Sequence, residues 1–131
     1  MISTFVVELM KKILFIEDEF TLQKSMGEFL EKAGFKIIQA LDGEIGLNLA
    51  EKEKPDLILL DLILPKISGF EVLKRLKENK ETKDIPVIIL TNLEESTDVG
   101  KSLELGATTY LVKSDQSLDD VLERIKETLR E

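Results

Sequence analysis

The stretch DLILLDLILPKISGFEVL, residues 56–73, reads as one strand, one turn and one helix in succession. Leu57 to Leu60 is an unbroken apolar run, short enough for a strand buried on both faces, as in a parallel sheet. Pro65 and Ser68-Gly69 then supply turn chemistry. A helical pattern follows from Phe70 to Asn79. Asp61 breaks the pattern, lying inside LILLDLIL (57–64) with no partner in sight. A buried, unpaired carboxylate is costly, and Asp is depleted in strands, so Asp61 calls for a function.

The same strand-then-helix unit recurs to either side. Strands are expected at Lys12 to Ile16, Phe35 to Gln39, Asp56 to Leu60, Pro86 to Leu90 and Thr108 to Val112. Helices are expected at Thr21 to Ala33, Glu44 to Lys52, Phe70 to Asn79, Ser96 to Leu105 and Ser117 to Arg130. Gly34, Asp42-Gly43, Pro55, Pro86 and Gly106 mark the joints. Five βα units imply an α/β fold, a doubly wound five-stranded parallel sheet of order 2-1-3-4-5. Residues 11–131 are expected to form this domain. Residues 1–10 form an extension of uncertain role, apolar enough to seek a neighbour, and Met10 could be the original start.

The chain has 131 residues, 43% hydrophobic and 34% charged, which fits one soluble globular domain. It shows neither a membrane span nor the pattern of a secretory signal, so a cytoplasmic location is expected. Without Cys there is no disulfide framework, thiolate nucleophile or common structural zinc site. Without His, the Ser-His-Asp and Cys-His devices are excluded. A net charge of −8 with scattered basic residues argues against nucleic-acid binding.

Ligands of doubly wound sheets bind outside the carboxyl ends of the strands. Those ends carry Glu17 and Asp18, then Asp61, then Thr91 and Asn92, and last Lys113. Singly, each has an ordinary explanation: carboxylates at a helix start, a turn cap, a surface lysine. Jointly, they converge on one crevice. Crowded carboxylates need a positive partner, and Mg²⁺ suits a site of carboxylates, a carbonyl and a phosphate oxygen. Lys113 and the Thr91 hydroxyl can meet further phosphate oxygens, and Asp61 can act as nucleophile through an aspartyl phosphate.

With these residues in hand, the chain resembles the receiver domain of two-component response regulators, a flavodoxin-like (βα)5 fold. The resemblance rests on ILFIEDE (13–19), DLILLDLILPKISGFEVL (56–73), VIILTN (87–92) and GATTYLVK (106–113), spread from Lys11 to the C-terminus. It implies a stand-alone, chemotaxis-regulator-like phosphorelay protein. Asp61 would be the phosphoryl acceptor. Asp18 would be a direct Mg²⁺ ligand, Glu17 an outer ligand through water, and the Ile63 carbonyl a further ligand. Thr91 would move to the phosphoryl group, with Lys113 as the paired lysine and Tyr110 as the switch aromatic. The resemblance also implies a sensor histidine kinase or phosphotransfer partner, which supplies the reacting His. A downstream protein target would read a surface of helix 4, strand 5 and helix 5. No nucleic-acid or membrane partner is expected, and the state is expected to be monomer or weak dimer.

Three features depart from the family pattern. Ser114 follows Lys113 where Pro is usual and its peptide bond is often cis; a cis bond before a non-proline costs about 3 kcal/mol, so trans is expected. Asn92 stands where a small residue is typical, narrowing access to Asp61. No output domain is expected after the last helix, so the signal would leave through surface contacts. A phosphatase of the haloacid dehalogenase type is disfavoured, because its second acid would fall at Ile63. The remaining alternative is a degenerate receiver that binds partners without phosphorylation, suggested by Ser114.

Overall fold

A computed structural model describes residues 10–130. Five strands form one sheet: β1 (Lys12–Ile16), β2 (Lys36–Ala40), β3 (Leu57–Leu60), β4 (Val87–Thr91) and β5 (Thr109–Val112). All neighbouring pairs are parallel, and the order is β2-β1-β3-β4-β5, as the βα alternation predicts. The helices between them are α1 (Phe20–Lys32), α2 (Gly43–Glu53), α3 (Gly69–Glu78), α4 (Ser96–Glu104) and α5 (Leu118–Leu129).

Strand side chains alternate faces, which divides the core in two. Leu14, Ile16, Ile58, Leu60, Val87 and Ile89 meet Ala50 of α2 and Val72, Leu73 and Leu76 of α3 on one face. Ile13, Phe15, Leu57, Leu59, Ile88 and Leu90 meet Met26 and Leu30 of α1 and Val121 and Ile125 of α5 on the other. Every residue of β3 is therefore buried, which explains its unbroken apolar run.

The element ends differ from the expected ones by a residue, for local reasons. The amide of Phe35 donates to the Leu30 carbonyl (3.2 Å) and closes α1, with Gly34 at φ 103°, so β2 starts at Lys36. Asp56 sits outside β3, its carboxylate accepting from the Lys12 amide at 2.7 Å. Pro86 has no N–H for the ladder; its carbonyl accepts from the Ile58 amide, and β4 begins after it and extends through Thr91. Asp42, Ser68 and Ser117 lie just before their helices as N-caps. One element was not expected: a 3₁₀ turn over Lys113–Asp115. No helix among the described residues is long and apolar enough to cross a membrane.

Candidate functional site

Parallel pairing brings the carboxyl ends of β1, β3, β4 and β5 to one edge. Two ladder bonds run just past the strands and pin the acids there: Glu17 N–H to the Ala40 carbonyl and Asp61 N–H to the Ile16 carbonyl, both 3.0 Å. Gly69 packs against this turn so closely that a Cβ would strike the Asp61 carbonyl oxygen and the Leu62 Cα. The Gly69 amide donates to the Leu62 carbonyl at 2.9 Å. Glycine is required there by close approach rather than by its backbone angles.

Glu17 is fully buried, Asp61 is 3% exposed, and Asp18 is exposed. Carboxylate oxygens of all three lie within 4.8 Å of one another. Lys113 reaches in from the end of β5, its Nζ 2.6 Å from Glu17 Oε1 and 2.9 Å from Asp61 Oδ2, with Glu19 Oε1 at 3.9 Å. The second oxygen of each buried acid accepts a backbone amide: Asp61 Oδ1 from Ile63 (3.2 Å) and Glu17 Oε2 from Glu19 (3.0 Å).

Burial pushes the Glu17 carboxyl up to about 7, and the charge of Asp61 adds to the rise against the Lys113 and Glu19 hydrogen bonds. Burial draws the Lys113 ammonium down, but its bonds to Glu17 and Asp61 outweigh this and raise it above the ordinary lysine value. Three acids thus face one close ammonium. The surplus of negative charge and oxygen donors fits a hard divalent cation such as Mg²⁺, for which this cluster could supply ligands.

Thr91, the last residue of β4, is fully buried and its hydroxyl has no hydrogen-bond partner among the described residues. It is therefore not the turn cap that its position allowed. The Tyr110 hydroxyl donates to the Leu93 carbonyl at 2.7 Å, tying β5 to the loop after β4. Burial, followed by the charges of Asp98 and Asp61, raises its pKa. Asn92 is exposed. The Lys113-Ser114 bond is trans, as are all described peptide bonds.

Two residues of this neighbourhood escaped the sequence reading. Gln23 of α1 is buried, and its amide nitrogen reaches the carbonyls of Phe15 (2.8 Å), Ala40 (3.0 Å) and Glu17 (3.1 Å). A polar residue on the buried stripe shared with Met26 and Leu30 was the available signal. Lys66 adopts φ 67° in the loop after β3, and its ammonium pairs with Asp42 at 3.2 Å.

The family model for the response regulator receiver domain matches residues 13–126. The DNA-binding dual master transcriptional regulator RpaA of Synechocystis sp. is 40% identical over 121 residues, covering 92% of this chain and 50% of that protein. The chain thus spans about half the length of such transcriptional regulators. Protein PilH of Pseudomonas aeruginosa is 38% identical over 104 residues, covering 79% of this chain and 86% of PilH. The CheY-like receiver domain protein of Methanospirillum hungatei superposes with a TM-score of 0.86 at 30% identity, covering 92% of this chain and 94% of that one. With sequence, fold and acidic crevice in agreement, the chain belongs to the family of response regulator receiver domains.

Proposed function

We propose that this chain is a phosphorylation-dependent signalling switch with Asp61 as acceptor, that residues 11–131 form the switch domain behind a 1–10 extension, and that residues 1–9 take no part in its chemistry. The observation that carries the reading is the Asp61 carboxylate: nearly buried, 2.9 Å from the Lys113 ammonium, and crowded by Glu17 and Asp18. An acid so placed is oriented, partly stripped of water, and next to a fixed positive charge, as a carboxylate nucleophile requires.

In this reading the donor is a phosphohistidine on a sensor kinase or phosphotransfer protein. One Asp61 oxygen attacks phosphorus in line, a P–O bond forms, the P–N bond breaks with its electron pair going to nitrogen, and the imidazole leaves neutral, keeping the proton already on its other ring nitrogen. The Lys113 ammonium, already beside Asp61, meets the incoming phosphoryl oxygens, which lowers the charge barrier. Held by Asp18, Asp61 and the Ile63 carbonyl, with Glu17 reached through water, Mg²⁺ would offset charge on the same oxygens. The unpartnered Thr91 hydroxyl then donates to a phosphoryl oxygen. As Thr91 moves, Tyr110 gives up the Leu93 carbonyl and turns inward. The change reaches the surface of α4, β5 and α5, where a downstream protein reads it in the cytoplasm. The chain catalyses only its own phosphorylation and dephosphorylation.

The test is incubation of the full chain with Mg²⁺ and acetyl phosphate, read by intact mass. The expected result is a gain of one phosphoryl group that Asp61→Asn abolishes. An unlabelled wild type under these conditions, or a labelled Asp61→Asn variant, overturns the reading and favours a phosphorylation-independent binding module.

A further inference from the structure

The side-chain amide of Gln23 is buried and reaches from α1 to the ends of both β1 and β2. It is 2% exposed, and its Nε2 lies 2.8 Å from the Phe15 carbonyl, 3.0 Å from that of Ala40 and 3.1 Å from that of Glu17. The Ala40 carbonyl also accepts the Glu17 backbone amide, so Gln23 completes a ring around the peptide that carries Glu17 into the crevice. Its Oε1 is buried without a partner among the described residues, a cost that an apolar side chain on this stripe would not incur. The cost marks Nε2 as the reason for the residue.

We propose that Gln23 is a positioning residue for the metal ligands, its amide holding the Glu17 carbonyl so that the Glu17 and Asp18 carboxylates face Asp61. This rests on the Mg²⁺ reading of the crevice given above. Gln23 touches no ligand atom itself; it acts on the backbone that aims them, and residues supporting metal ligands in this way change affinity about 10- to 100-fold when replaced. Nothing else in α1 substitutes for it: Thr21 and Lys24 are exposed, and Met26 and Leu30 offer no donor.

The test compares Mg²⁺ affinity by calorimetry for the full-length wild type, Gln23→Met and Gln23→Lys. Met keeps the length and removes the donors; Lys restores donors to the three carbonyls. The expected result is Mg²⁺ binding weaker by about tenfold or more in the Met variant and recovery to within about threefold of wild type in the Lys variant. A Met variant that binds Mg²⁺ like wild type, or a Lys variant as weak as Met, overturns the proposal. If the Met variant does not fold, the wild type decides: the Gln23 side-chain amide protons should shift with the Glu17 to Glu19 backbone amides in an NMR titration with Mg²⁺. Gln23 signals that stay still while those amides move overturn it. A wild type that binds no Mg²⁺ overturns this proposal and the metal reading together, whereas normal wild-type binding with indifferent variants overturns this proposal alone.

Discussion

Glu17 carries the least comfortable charge of the crevice. Burial pushes its carboxyl up to about 7 in the folded protein, against an ordinary 4.5. Between those values the folded state holds a proton that the unfolded state has released, so stability falls as pH rises from about 4.5 to 7. The loss should be on the order of 2–3 kcal/mol, and Glu17→Gln should remove most of that slope. Urea denaturation of both proteins in EDTA at pH 5 and pH 7.5 checks this; equal slopes would refute it. A second prediction concerns the lifetime of the aspartyl phosphate. Ile63, 54% exposed two residues beyond Asp61, and Leu93, two beyond Thr91, are apolar and cannot hydrogen-bond an attacking water. Self-dephosphorylation should therefore be slow. An Ile63→Asn, Leu93→Glu double variant should lose label about tenfold faster, a barrier change of about 1.4 kcal/mol. Label loss at equal rates in both would show that these side chains do not set the lifetime.

At the scale of elements, the junction of β3 with α3 determines where Asp61 points. Ser68 caps α3 by accepting the Glu71 amide at 3.2 Å, and Gly69 lets the helix start directly against the Asp61 peptide. In an exposed helix, Gly→Ala would gain about 1 kcal/mol from propensity. Here the added Cβ meets backbone, which cannot rotate away, and overpacking of that kind costs about 1–3 kcal/mol. Gly69→Ala should therefore lower stability and slow labelling of Asp61, as read by thermal unfolding and intact mass. A variant as stable and as quickly labelled as wild type would show that the turn has slack.

At the scale of the molecule, every residue of the proposed site lies within 10–130. The extension expected over residues 1–10 lies, apart from Met10, outside the described residues. Deleting residues 1–9 should leave Mg²⁺-dependent labelling of Asp61 unchanged within about a factor of two, since no group in the proposed chemistry is removed. Loss of labelling in a deletion variant that remains folded would show that the segment acts on the crevice.

Local chemistry in the sequence was enough for the architecture and most of the crevice. A strand buried on both faces must read apolar throughout, turns need their Gly, Pro and Asp, and parallel βα units place consecutive strand ends on one edge. Glu17, Asp18, Asp61, Thr91 and Lys113 were legible because they interrupt those patterns at the strand ends. Tertiary structure alone decided what touches what. That Lys113 bridges Glu17 and Asp61 depends on the side-by-side placement of strands that are distant in the chain. The rise of the Glu17 pKa depends on complete burial, which a sequence shows only as an average tendency. Gln23 was not legible, because its three carbonyl partners lie in β1, just past β1 and in β2, and converge only when α1 packs against the sheet.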